Sequence, residues 1–224
     1  MTSARFAKLM SGDSDSLDLD EASLVMSAVL QPGLDEIEWL AALDLIAADC
    51  PTATPEGVSR YLFDELGFAG NKDAYYDWRN SCLDRVIETR TGIPISLSIL
   101  MIEVGRRVGV KLVGVGMPAH FLVRSVEDDT TFFDPFDGGR QLDRDDARAL
   151  FETITRGQAP WSDSHLHPTP NRAIVIRMLN NLKSVFARRS DEVRFALAMQ
   201  LRAQVAELAV LEADEFASAN AIFN

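Results

Sequence analysis

The chain has 224 residues, 47% hydrophobic, 25% charged and 8% aromatic, with a formal net charge of −12. This is ordinary globular composition for one large domain, or one domain with a helical appendage, and it excludes a disordered chain, a collagen-like fibre and a disulfide scaffold. Cys50 and Cys82 are the only cysteines, the acidity argues against a nucleic-acid binder, and the lack of a long apolar run argues against a membrane span.

The charge is uneven. Residues 1–50 carry ten acids and two bases, residues 203–224 four acids and no base, and residues 51–202 twenty of each. Solvated helix faces at the two ends are the plain reading, and an acidic surface for a basic partner the sharper one. Residues 1–21 lack the apolar core of a signal peptide, so a cytoplasmic protein with reduced thiols is expected.

The first third reads as helical. Asp18 and Glu21 have capping-box spacing ahead of an apolar stripe at Leu24, Val25, Ala28 and Val29. Pro32-Gly33 breaks that helix, and a second runs from about Leu34 to Asp49 with Ile37, Leu40 and Ala41 on one face. Thr54-Pro55 starts a third, because Thr caps free N–H groups and Pro has none to leave unpaired; Val58, Tyr61, Leu62 and Leu66 form its stripe. Asn80-Ser81 opens a short helix reaching about Arg90. Pro94 then starts a helix of about 15 residues ending near Gly109, apolar nearly all round and therefore central in a domain. Its small residues Ser98 and Gly105 share a face and would admit a close neighbour.

Leu112–Met117, His120–Val126 and Thr130–Asp134 are short, β-branched and aromatic segments that read as antiparallel strands, with Arg140–Leu142 as an edge. Helix returns at Asp143. After a Pro-rich loop over 159–170, two helices are predicted at about 171–189 and 191–214, forming a C-terminal hairpin. The class is α+β: a small antiparallel sheet packed on a buried central helix, with a helical N-terminal part (1–72), a core (73–160) and the C-terminal hairpin region (161–224).

Of the three histidines, His120 begins one strand and Asp134 ends the next. A hairpin turning around Glu127–Asp128 pairs positions whose numbers sum to about 254 or 255, which makes His120 and Asp134 cross-strand neighbours in one of the two registers. A carboxylate on one imidazole nitrogen fixes the tautomer and raises the basicity of the ring, the orienting half of a catalytic triad; a structural bond pinning the hairpin is the alternative. The nucleophile's natural place is the N-terminus of the buried helix. There the sequence offers Ser96 and Ser98 and no thiol, and capping or packing suits both hydroxyls. Cys82 reads as a buried apolar residue. His165 and His167 lack a partnering cluster, so no metal is expected; no glycine-rich phosphate loop precedes a helix, so no cofactor is expected. Arg106, Arg107, Arg172, Arg177, Lys183, Arg188 and Arg189 give local basic patches, for which helix-end charge is the plain reading.

The runs Arg79–Ser98, Glu103–Gly109, Gly114–Arg124, Phe133–Gly139 and Arg177–Lys183 together resemble the SirB-type branch of the transglutaminase-like superfamily, from about residue 75 to 190. The resemblance implies a papain-like core followed by tetratricopeptide-like helices. In active relatives that core carries Cys at the start of the central helix, His on one strand and Asp on the next. His120 and Asp134 match the last two, while the Cys position falls within 94–96, near Pro94, and holds no thiol. Three functions follow as expectations. The first is a protein lacking the nucleophile that binds a peptide or protein in the His–Asp cleft. The second is a hydrolase or acyl transferase using His120 and Asp134 with Ser96 or water. The third is an adaptor acting through the 171–214 hairpin. The oligomeric state is left open.

Overall fold

The structure, a computed structural model, describes residues 2–12 and 17–212. Helices α1 (Thr2–Met10), α2 (Leu19–Leu30), α3 (Glu36–Ala48) and α4 (Pro55–Arg60) come first, the last continuing through a π turn at Tyr61–Glu65. A two-residue strand β1 (Ala69–Gly70), a 3-10 turn (Trp78–Ser81), α5 (Leu83–Thr89) and β2 (Thr91–Gly92) lead into the central helix α6 (Pro94–Arg107). Strands β3 (Leu112–Val115), β4 (Leu122–Ser125), β5 (Phe132–Asp134) and β6 (Arg140–Leu142) form an antiparallel sheet in chain order. Helices α7 (Arg144–Thr155), α8 (Asn171–Arg189) and α9 (Glu192–Arg202) follow. The fold is α+β, as the sequence predicts; the parallel pairing of β1 with β2 is too short to leave a sequence pattern.

Helix α6 is the axis of the packing. Ile99, Leu100, Met101 and Val104 are fully buried, and side chains of this kind stabilise by roughly 1.5–3 kcal/mol each when withdrawn from water. Gly105 performs the expected small-residue role, since a Cβ there would stand 2.8 Å from the Leu112 side chain on β3. Ser98 instead donates to the Pro94 carbonyl of its own helix at 2.8 Å. The sheet alternates: Val123 and Phe133 join the main core with α6, while Leu122 and Phe132 face a second cluster with Ala147 and Phe151 of α7. Residues from each of the three predicted regions, such as Leu24, Leu100 and Leu182, share the main apolar cluster.

Four expectations are corrected. Asp18 precedes α2, but its side chain makes no cap hydrogen bond. Helix α3 turns Leu43 and Ala47 inward and leaves Ile37 75% exposed, because its contact face is set by α2 and α6 rather than by its most apolar arc. The hairpin pairs Val123 with Phe133 and Arg124 with Phe132, a register summing to 256, because its turn is centred about one residue later than expected. The final helix stops at Arg202; a turn at 203–205 precedes a further helical stretch at 206–212. Val205 of that turn and Leu208 of the stretch after it are buried, and Glu212 comes onto the buried Arg202 guanidinium. Residues 213–224, with two of the four acids of the C-terminal stretch, lie outside the described residues.

The acidic N-terminal region is not simply a solvated face. Asp20 is buried and accepts from Arg106 at 3.0 Å and Arg107 at 2.6 Å, while Glu103, also buried, accepts from the same two arginines at 2.8 and 3.0 Å. The arginines at the end of α6 therefore tie it to α2, and Arg107 reaches Asp44 of α3 at 2.8 Å. Burial, joined by the neighbouring Asp20 charge, pushes the Glu103 carboxyl up to about 7 against the pull of both arginines. An unfolded glutamate titrates near 4.3, so between these values the folded chain binds more protons and stability falls as pH rises, flattening above about 7. Glu103→Gln is expected to remove roughly 1–3 kcal/mol of this decline, read as the difference in urea-unfolding stability between about pH 5 and about pH 8. Parallel pH profiles for the two proteins would refute it.

Candidate functional site

His120 does not sit in a strand. It closes a turn in which its N–H donates to the Met117 carbonyl at 3.2 Å, with Ala119 in the left-handed region at φ 61°, an uncommon state for a residue with a Cβ. Arg177, in the second turn of α8, holds this bend: its Nη2 donates to the carbonyls of Met117 (2.7 Å) and His120 (2.8 Å), and its guanidinium lies 5.3 Å from the Phe121 ring centre. Gly116 makes room for the clamp, since a Cβ there would come within 3.0 Å of Arg177 Nη1 and 2.9 Å of Thr169 Oγ1.

Asp134 ends β5. Its Oδ1 accepts from the N–H groups of Phe136 (3.0 Å) and Asp137 (3.3 Å), capping the 3-10 turn at Pro135–Asp137. Its Oδ2 accepts from His120 Nε2 at 2.9 Å, both side chains being buried. A carboxylate only accepts, so Nε2 carries the proton and Nδ1 is the lone-pair nitrogen of the neutral ring; Nδ1 has no partner among the described residues. The pair thus meets, though not as direct cross-strand partners: the bend at Ala119 swings His120 toward the end of β5, and the two-residue offset between 254 and 256 preserves the parity of the face.

His120 lines a small cleft of about 70 Å³, with Asp134 behind it. One side is the start of α6, with Ile93, Pro94 and Ile95; the other carries Tyr75, His120, Arg177 and Asn181. Ser96 is not in the lining. Its Oγ donates to the Asn80 carbonyl at 2.6 Å and accepts from the Ile93 N–H at 3.1 Å, and the residue is buried. It caps α6 and anchors the preceding turn. Cys82 is buried, with Sγ donating to Trp78 O at 3.8 Å, and burial pushes its thiol pKa up; Cys50 lies against Thr52 O at 3.7 Å. Neither thiol lines the cleft. Pro94 at the first helical position further removes one of the backbone donors that a helix start offers.

His165 stacks on Phe151 at 4.9 Å and accepts from the Ser162 N–H at 3.3 Å. Among the described residues no group of three or more His, Cys, Asp or Glu is placed to hold a metal, and no helix is long and apolar enough to cross a membrane. Sequence reasoning missed Tyr75, Arg177 and Asn181. The available signal was the four-residue spacing of Arg177 and Asn181, which puts two polar groups on one face beside an apolar stripe.

The chain belongs to the transglutaminase-like superfamily, whose profile matches residues 31–180. It is 49% identical over 134 residues to a UPF0162 protein of Xylella fastidiosa (strain Temecula1), covering 58% of this chain and 48% of that one. It is 29% identical over 200 residues to a UPF0162 protein of Vibrio cholerae, covering 84% and 72%. A 96-residue stretch is 36% identical to human F-box only protein 21, covering 39% of this chain and 15% of that protein. The chain thus spans about half the length of the Xylella relative. No solved structure matches it.

Proposed function

We propose that this member of the transglutaminase-like superfamily is a binding or regulatory protein without covalent catalysis, recognising a peptide or protein segment through the His120–Asp134 cleft. The observation that carries the reading is the start of α6. Where the fold would present a nucleophile, the cleft meets Ile93, Pro94 and Ile95, and the nearby hydroxyl of Ser96 is spent on two backbone groups. An acyl-transfer mechanism needs a nucleophile within hydrogen-bond reach of its base, and these side chains supply none. The retained His–Asp bond then orients an imidazole for recognition. The recurrence of a related stretch within a protein as different in length as F-box only protein 21 fits a module that is used for contact. The proposal includes the SirB-type branch, a tetratricopeptide-like character for the C-terminal helices, supported by the α8–α9 pair, and a cytoplasmic setting, supported by two free thiols.

Random peptides selected on the immobilised protein test the reading. Selected peptides are expected to bind wild type, to lose at least about tenfold in affinity, or 1.4 kcal/mol, with His120→Ala, and to return intact by mass spectrometry. Cleaved or acyl-modified peptide that disappears with His120→Ala would overturn it in favour of a hydrolase or acyl transferase using water, for which the 2.9 Å His120–Asp134 bond already supplies an oriented base. Affinity unchanged by His120→Ala but lost with surface substitutions on α8 and α9 would favour the adaptor reading.

A further inference from the structure

We propose that the group this cleft recognises is a carboxylate, held by the Arg177 guanidinium and the Asn181 amide, with His120 protonating on Nδ1 to donate the third hydrogen bond. The inference rests on the cleft being a binding site and adds the chemistry of its ligand. Arg177 has no carboxylate partner among the described residues; two carbonyls occupy its Nη2, and Nη1 and Nε have no protein acceptor among them. The Asn181 side-chain amide makes no hydrogen bond to any described residue, and neither does the Tyr75 hydroxyl, whose pKa burial raises so that it remains a donor. His120 is 6% exposed and faces the cleft with Nδ1 unpartnered. These groups are mostly donors, gathered around a cation that bonds no carboxylate among the described residues, and a ligand that only accepts satisfies them together. With both Nη2 hydrogens spent on carbonyls, Nη1 is left to donate to one oxygen of a planar anion while the Asn181 amide meets the other, and a cleft of about 70 Å³ suits such a group better than a bulkier one.

The charged groups around the His120 ring are Asp134, bonded to Nε2, and Arg177 of α8; Tyr75 is the other titratable group of the lining, and the first turn of α6 brings none. An arriving carboxylate meets the lone pair of Nδ1, so binding draws one proton from solvent onto that nitrogen. The imidazolium then donates to Asp134 on one side and to the ligand on the other. No bond to carbon forms or breaks.

The probes are N-acetylalanine, N-acetylalaninamide and inorganic phosphate, followed through the imidazole signals of histidine-labelled protein. N-acetylalanine is expected to move the His120 signals toward the imidazolium position saturably, with uptake of a proton, and to bind at least about tenfold more tightly than the amide. Asn181→Leu, which leaves the Met117–His120 turn untouched, is expected to cost several-fold in affinity for the acid; Arg177→Met, where it folds, more. A hexapeptide with a free C-terminus binding more tightly than N-acetylalanine, and more tightly than its amidated form, identifies a chain terminus as the source; equal affinity for the hexapeptide and N-acetylalanine identifies a small free acid. Either supports the proposal. Equal binding of acid and amide, equal binding of phosphate, or no movement of the His120 signals overturns it. Selected peptides that still bind in a His120-dependent manner would then leave the broader reading standing, whereas peptide cleavage would remove that reading instead.

Discussion

Arg177→Met is expected to lower the free energy of unfolding by about 3–5 kcal/mol, the largest loss of any single change considered for this chain. The reasoning starts from satisfaction of the backbone. The Met117–His120 turn points two carbonyls, those of Met117 and His120, at one guanidinium nitrogen at 2.7 and 2.8 Å. Hydrogen bonds to a charged donor contribute about 1.5–3 kcal/mol each, and the His120 carbonyl, left without a donor, costs its desolvation outright, while the Met117 carbonyl keeps the His120 N–H at 3.2 Å. The guanidinium also lies on the Phe121 ring, adding roughly 0.5–1 kcal/mol. Methionine keeps most of the aliphatic volume, so the loss reports the polar clamp rather than a cavity. Arg177→Lys should recover part of it, because a single ammonium lacks the planar fork. Chemical denaturation of the three proteins reads this directly. A cost below about 1 kcal/mol for the methionine variant would mean that the turn holds itself and that Arg177 is available wholly to a ligand.

This clamp marks where reading the sequence stops. Pro94 and the unbroken apolar run behind it identify the central helix, because a helix apolar on every side has nowhere to go but the interior. The four short strands are equally legible from residue type and from Gly and Pro between them. Register is harder. Val123 pairs with Phe133 because the turn after Ser125 is longer than its acidic residues suggest, and side-chain pattern alone constrains parity better than offset. His120 and Asp134 were therefore brought together correctly, though through a bent turn in which Ala119 adopts φ 61° and not through direct pairing. A left-handed alanine leaves no trace in composition.

The other wall of the cleft was illegible for a different reason. Arg177 and Asn181 lie more than fifty positions from His120, and the same residues on an isolated helix would read as its solvated side. Asp20 makes the same point in reverse: it looks like one more surface acid, yet it is buried against Arg106 and Arg107. The orientation of α3 fails likewise, with Ile37 outside, because the contact face of a helix is decided by what packs against it. Local chemistry predicts the elements; pairing of distant polar groups predicts the site, and only three-dimensional contact supplies it.

Asp134→Ala separates the structural from the recognition role of the pair. Alanine removes the acceptor for the Phe136 and Asp137 N–H groups at 3.0 and 3.3 Å and strands the His120 Nε2–H that now donates at 2.9 Å. Loss of a cap costs typically about 1 kcal/mol and a stranded buried donor about 1–3 kcal/mol, so a destabilisation of about 2–4 kcal/mol is expected in urea. Asp134→Asn should cost markedly less, since its carbonyl oxygen can still cap the turn. Its amide nitrogen, however, is a donor. Facing it, Nε2 must accept, and the imidazole proton moves to Nδ1. The asparagine variant is thus expected to keep the fold while inverting the tautomer that His120 presents to the cleft, visible as exchanged imidazole nitrogen shifts. If the carboxylate assignment holds, this neutral ring already carries an Nδ1–H, so the acid probe should bind without the proton uptake seen in wild type. An asparagine variant with unchanged imidazole shifts and undiminished proton uptake would show that Asp134 does not set the state of His120, and the oriented imidazole would lose its physical basis.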